Sequence, residues 1–169
     1  LGSAAVGGLI SGLYWLLMLV GRFVSAFISG KVSSRSQLTA TSVIAISLLL
    51  VAIFMPETSK MNLMIPDISN WRLINAEVPV NVVFIVLCGL CTSVMWGVIY
   101  NLATEGLGKY TAAASGLFMT MVFGGGVMPL IQDLIATKIG DINSYWLVVA
   151  MLSYLLFYAL VGSRQSKNN

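Results

Sequence analysis

The segment "VNVVFIVLCGLCTSVMWGVIYNLAT" occupies positions 80–104 and contains no charged residue. A helix needs about 20 mostly apolar residues to cross the hydrocarbon core of a bilayer. The rest of the chain has the same character, because its 169 residues are 58% hydrophobic and only 9% charged. Soluble domains carry about 25% charged residues. The sequence therefore predicts an all-α integral membrane protein.

On either side of this segment, other stretches are long and apolar enough to span a bilayer, namely residues 5–29, 38–55, 111–137 and 144–162. A longer polar loop, 56–79, precedes the opening segment, and residues 163–169 form a polar tail. We therefore expect five transmembrane helices. Because the chain begins inside apolar sequence and without Met, we also expect it to be a fragment of a longer protein.

The positions of Lys and Arg predict the orientation of these spans. Six of the nine basic residues fall on the side of the membrane that holds the tail, and three fall on the side of loop 56–79. Lys and Arg near span ends favour the cytoplasmic side. We therefore expect a cytoplasmic carboxy terminus and a periplasmic loop 56–79.

The residue types present argue against several classes of function. The chain has no His and only two cysteines, Cys88 and Cys91, whose spacing in a membrane helix is typical of small packing residues. It has no carboxylate in the middle of a span and no cluster of Asp and Glu that acid–base chemistry would need. The sequence shows neither a filter-like loop nor a charged ring, the features expected of an ion channel. We expect no enzymatic activity, no cofactor, no metal site and, with a net charge of only +3, no nucleic-acid partner.

Glycine is concentrated in spans 5–29, 80–104 and 111–137, whereas span 38–55 has none. Small residues let membrane helices approach closely. We therefore expect the three glycine-bearing spans to be central and the other two to be peripheral. In span 80–104, Gly89, Ser93 and Gly97 recur every four residues and predict a face for helix packing.

Tyr14, Thr92 and Trp96 are expected at a similar depth near the middle of the membrane, given a rise of about 1.5 Å per helical residue. An indole at this depth can stack on a ring and donate its N–H, and Thr92 and Gln132 add neutral polar groups. The set predicts a binding site for a neutral, sugar-like ligand at the depth where transporters bind substrates. Two alternatives stay open: Trp96 facing lipid or core, and Gln132 bonding to a neighbouring helix.

The stretch "VFGGGVMPLIQD", positions 122–133, is the weakest helical sequence of the fourth span. Gly124, Gly125 and Gly126 loosen the backbone, and Pro129 removes one of its donors. Irregular backbone at membrane depth is tolerated where it is buried in protein or lines a watery cavity. We therefore predict that Gly124–Pro129 is a cavity-facing bend that acts as a gate, with a static, packed kink as the alternative.

Three stretches together resemble a known family: "LYWLLMLVGRF" (13–23), "NLATEGLGKYTAAASG" (101–116) and "GGGVMPLIQ" (124–132). In this order and spacing they are similar to the carboxy-terminal half of the fucose–galactose–glucose:proton symporters, within the major facilitator superfamily. The resemblance implies a partial six-helix bundle corresponding to spans 8–12 of twelve, in a bacterial inner membrane. The implied function is the import of a hexose by proton symport with alternating access.

The resemblance also bears on single residues. "GRFVSAFISGK" (21–31) occupies the place of the superfamily's basic loop motif, so Arg22 would help to hold the inward side closed, with positive-inside anchoring as the alternative. The family's proton-linked carboxylates lie in the amino-terminal half, which we expect to be the missing partner of this chain. Gly97 stands where relatives often have a proline, so the preferred sugar cannot be copied from a relative. A non-transporting receptor of the same fold, or a facilitator for another small polar solute, remains an alternative.

Overall fold

The computed structural model describes residues 4–28, 30–56, 59–67 and 72–163. Five helical segments are long and apolar enough to cross a membrane, which confirms the predicted all-α membrane fold. Most of the predicted polar tail, and the tip of loop 56–79, lie outside the described residues.

The first three spans are single helices, and the last two are interrupted. In chain order the elements are α1 Ala4–Ile28, α2 Ser34–Phe54, β1 Lys60–Asp67, β2 Arg72–Pro79, α3 Val80–Thr104, α4 Thr111–Met121, α5 Gly124–Ile139, α6 Asp141–Ser144 and α7 Trp146–Phe157. A 3₁₀ turn, Gly108–Tyr110, precedes α4, and a π turn, Tyr158–Gly162, follows α7. The fourth span thus comprises α4 and α5, and the fifth comprises α6, α7 and the π turn.

Local chemistry sets several of these boundaries. The hydroxyl of Ser33 caps α2 by accepting a hydrogen bond from the Ser36 N–H at 3.3 Å. Gly106 and Gly108 adopt φ of 77° and 50°, which explains the tight turn between α3 and α4. Gly140, at φ 90°, separates α5 from α6 in the same way.

The loop between the second and third spans contains a β-hairpin that the sequence analysis did not predict. Its strands pair antiparallel, from Lys60 opposite Pro79 to Asp67 opposite Arg72. The strand β2 runs into α3 without an intervening residue. Val78, which is 1% exposed, packs with Ile10 and Val86 and so fixes the hairpin to α1 and α3.

The core lies along α3, which packs against α1 on one side and α2 on the other. The glycine count predicted α2 to be peripheral, and within this chain that prediction is wrong. Leu38, Ala45 and Leu49 of α2 are almost fully buried in one cluster with Cys88 and Cys91 of α3. Interlocking apolar side chains let α2 pack closely against α3 even though α2 contains no glycine. The fourth span, predicted to be central, has no buried residue in α4 or α5.

Glycine does control the contact between α1 and α3. A Cβ at Gly21 would lie 2.8 Å from the carbonyl oxygen of Leu90 and would overlap the hydroxyl of Ser93. A Cβ at Gly89 would lie 3.0 Å from the ring of Tyr14. The predicted packing face is therefore present at Gly89 and Ser93, whereas a Cβ at Gly97 would meet nothing within 4 Å.

Candidate functional site

A cavity of about 900 Å³ lies between α1, α3, α5 and the start of the fifth span. It reaches from mid-depth to the end of the bundle at which the hairpin joins α3. Its polar lining residues are Ser11, Tyr14, Asn81, Thr92, Gln132, Asp133, Asp141, Ser144 and Tyr145. The lining combines apolar helix faces with a few polar groups, which is typical of small-molecule sites.

Tyr14 and Thr92, which the sequence analysis placed at a common depth, meet in this cavity. The Tyr14 hydroxyl lies 3.2 Å from Thr92 Oγ1, across the contact between α1 and α3. Thr92 Oγ1 is also 3.2 Å from the carbonyl oxygens of Cys88 and Gly89, so its hydroxyl can donate to its own helix or to Tyr14. The missing side chain of Gly89 leaves the space in which the Tyr14 ring lies against α3.

Gln132 lies in the cavity wall and also bonds to the neighbouring helix, so the structure joins the two alternatives for this residue. Its Nε2 donates to the hydroxyl oxygen of Ser144 at 3.4 Å. Ser144 is only 2% exposed, and its own hydroxyl donates to the carbonyl oxygen of Asp141 at 2.6 Å. This chain of bonds ties α5 to the start of the fifth span.

Trp96 lies outside the residues that line the cavity. Its ring meets that of Phe118 edge-on at 5.3 Å between centroids, and Phe118 also contacts Tyr100 at 5.5 Å. The Tyr100 hydroxyl lies 2.8 Å from that of Ser115. These residues form a separate contact between α3 and α4, and the Trp96 indole remains 43% exposed.

The predicted bend of the fourth span is displaced from the predicted position. The helix is interrupted at Val122 and Phe123, one step ahead of the glycine triplet, and α5 already begins at Gly124. Gly125 N–H bonds to the Val122 carbonyl at 2.8 Å, which is the tight spacing of a 3₁₀ turn. Three residues without side chains permit this tightening, so the break falls where the glycines begin.

The other predicted gating residues are found in three different settings. Pro129 lies inside α5 and lines the cavity. A Cβ at Gly124, Gly125 or Gly126 would meet nothing within 4 Å, and these glycines are not among the lining residues. Arg22 is exposed on α1, beyond the depth of the cavity.

Sequence analysis missed several lining residues because small polar groups in an apolar helix give a weak signal. Asn81 is 2% exposed, and its Oδ1 accepts a hydrogen bond from the Val82 N–H at 2.9 Å. Its only sequence signal is an amide in the first turn of an otherwise apolar span. Among the described residues, no group of three or more Cys, Asp or Glu side chains is placed to hold a metal ion.

Comparison with curated proteins gives relatives along nearly the whole chain. The glucose/galactose transporter of Brucella abortus (biovar 1, strain 9-941) is 26% identical over 151 residues, which are 89% of this chain and 32% of the relative. The putative glucose/galactose transporter of Helicobacter pylori (strain J99) is 27% identical over 161 residues, which are 92% of this chain and 34% of the relative. The chain is similar to sugar transporters.

The match covers only part of each relative. This chain spans about a third of the length of the curated relatives that it matches. No family model matches the sequence, and no solved structure matches the chain. With its five apolar helices and these relatives, the chain is a multi-pass membrane protein.

Proposed function

We propose that this chain is part of a secondary active transporter that imports a monosaccharide, a hexose such as glucose, galactose or fucose. The observation that carries the proposal is the cavity in which Tyr14, Thr92 and Gln132 come together. Its lining offers neutral hydroxyl and amide groups, which recognise the hydroxyls of a sugar. The similarity to named glucose/galactose transporters supports the same substrate class.

The size and position of the cavity fit this substrate. Sites for small molecules have volumes of about 300–1,000 Å³, and the volume here is about 900 Å³. Transporters bind substrates near the bilayer midplane, beside interrupted helices. The break at Val122 and Phe123 divides the fourth span, and α5 carries both Pro129 and Gln132 to the cavity wall.

We further propose that the chain is the carboxy-terminal half of a major facilitator transporter of the fucose–galactose–glucose:proton symporter family. It would lie in a bacterial inner membrane with its carboxy terminus in the cytoplasm. In that orientation the cavity opens toward the periplasm, on the side of the hairpin. The missing amino-terminal half would form the opposite wall, supply the proton-linked carboxylate and rock against this half in alternating access.

Uptake by the full-length protein in proteoliposomes tests the proposal. An inward pH gradient should drive accumulation of a labelled hexose, and a protonophore should abolish it. Sugar exchange that does not respond to the pH gradient would indicate a facilitator and not a symporter. Sugar binding without any uptake would favour a non-transporting receptor of the same fold.

Trp96 stays a predicted sugar contact in this proposal. It lies one turn of α3 beyond Thr92, and its indole is 43% exposed. Replacing Trp96 by Ala should lower the affinity for sugar in isothermal titration. Unchanged binding would assign this side chain to its contact with Phe118 alone.

A further inference from the structure

Two hydroxyls of the cavity are fixed in direction by their bonds to the backbone. The hydroxyls of Ser11 and Ser144 donate to the backbone carbonyls of Gly7 and Asp141, at 3.0 and 2.6 Å. A hydroxyl has one proton and two lone pairs. Once the proton is used, the oxygen can only accept further hydrogen bonds.

The direction of a hydroxyl proton also decides which hydrogen bonds its partners can make. The Tyr14 and Thr92 hydroxyls lie 3.2 Å apart and either can donate, so this pair is not fixed in direction. Because Ser144 donates to Asp141 at 2.6 Å, its oxygen can only accept, and Gln132 must turn its NH₂ group toward it.

The orientation of the Gln132 amide follows from this chain of bonds. The oxygen and nitrogen of a carboxamide lie on opposite sides of Cδ, so an amide that donates to Ser144 turns Oε1 away from it. Gln132 lines the cavity. Asp133 and Asp141, which also line it, add only acceptor oxygens when ionised.

We propose that this wall of the cavity accepts hydrogen bonds at Gln132, so that the sugar hydroxyl facing it acts as a donor. Ser144 is the positioning residue that sets the direction of the Gln132 amide. The inference rests on the proposed transport of a hexose and adds the hydrogen-bond polarity of its site. Donors in the lining, such as the Tyr145 hydroxyl, serve the other positions of the ring.

Paired sugar analogues test this polarity in the full-length protein. For each hydroxyl of the transported hexose, the deoxy and deoxyfluoro analogues are compared as inhibitors of uptake. A C–F group cannot donate a hydrogen bond, so both analogues should lose about tenfold in affinity at the position that faces Gln132. Fluoro analogues that keep the parent affinity wherever the deoxy analogues lose it would overturn the inference, and so would the lack of any loss.

Variants separate the role of Ser144 from a merely structural one. Ser144→Ala frees the amide to present its NH₂ group, so the fluoro analogue should recover affinity relative to the deoxy analogue. Ser153→Ala is the matched control, because Ser153 donates to the Val149 carbonyl at 2.8 Å and does not line the cavity. An unchanged ratio of the two analogues in Ser144→Ala would refute the positioning role.

A second variant covers the case in which Ser144→Ala does not fold. Gln132→Glu keeps two acceptor oxygens and should preserve the wild-type pattern of analogue affinities. A pattern in which the fluoro analogues regain affinity in Gln132→Glu would contradict the inference. Absence of hexose uptake by the wild-type protein would defeat the proposed function itself, whereas uptake with the wrong analogue pattern would defeat only the polarity.

Discussion

Replacement of Gly21 by Ala should destabilise the bundle, although alanine is the better helix former. The added Cβ would lie 2.8 Å from the carbonyl oxygen of Leu90 and would also overlap the Ser93 hydroxyl. The Leu90 carbonyl belongs to the helix backbone and cannot rotate away, so α1 and α3 must separate by several tenths of an ångström. Overpacking of this kind costs about 1–3 kcal/mol.

The helix propensity works in the opposite direction and sets the net magnitude. Alanine is favoured over glycine by about 1 kcal/mol in a helix interior. The free energy of unfolding of Gly21→Ala should therefore fall by up to about 2 kcal/mol. For a chain of this size, each kcal/mol shifts the unfolding midpoint by about 2–4 °C.

Thermal unfolding in detergent measures this difference, and the chain offers a matched control. Gly12 lies on the same helix, and a Cβ there would meet nothing within 4 Å. Gly12→Ala should leave the midpoint unchanged or raise it, while Gly21→Ala should lower it by up to about 4–8 °C. If Gly21→Ala were as stable as Gly12→Ala, the close contact between α1 and α3 would not exist as described.

Two other predictions concern the ends of the bundle and the break in the fourth span. Arg35 Nε donates to the Ala159 carbonyl at 2.7 Å, and its Nη2 donates to the Leu160 carbonyl. Arg35→Ala should cost about 1.5–3 kcal/mol, the range for charged hydrogen bonds, and should raise hydrogen exchange at residues 158–162; unchanged exchange would argue against this tether. Gly125→Leu should fold normally, because its side chain meets nothing within this chain, yet it should block hexose uptake if the opposite wall packs there. Normal uptake by that variant would show that nothing packs against Gly125 during transport.

The membrane class and the five helices could be predicted because each span must be apolar along its whole length. The common depth of Tyr14 and Thr92 could be predicted, since both lie near mid-span, but their contact is known only from the structure. Depth does not give the direction of a side chain around a helix, which is why Trp96 was placed with them but lies against Phe118.

Other features follow from tertiary contacts that leave little trace in the sequence. Pro66 and Pro79 make the sequence of the hairpin look like irregular loop. The place of Ser144 in the cavity depends on a bond to Gln132 from a different span. Burial of α2 depends on how its apolar side chains fit against Cys88 and Cys91, which composition does not specify.

The direct junction between β2 and α3 makes the hairpin a lever arm that reports helix motion outside the membrane. The Val80 N–H bonds to the Ser59 carbonyl at 2.9 Å, and Val78 is buried against α1 and α3, so strand and helix are fixed together. A strand of eight residues extends roughly 27 Å at about 3.4 Å per residue. Tilting α3 by about 10° would then move Arg72, at its far end, by about 5 Å. Distance labels on this strand would record such a tilt of α3 without a probe in the cavity.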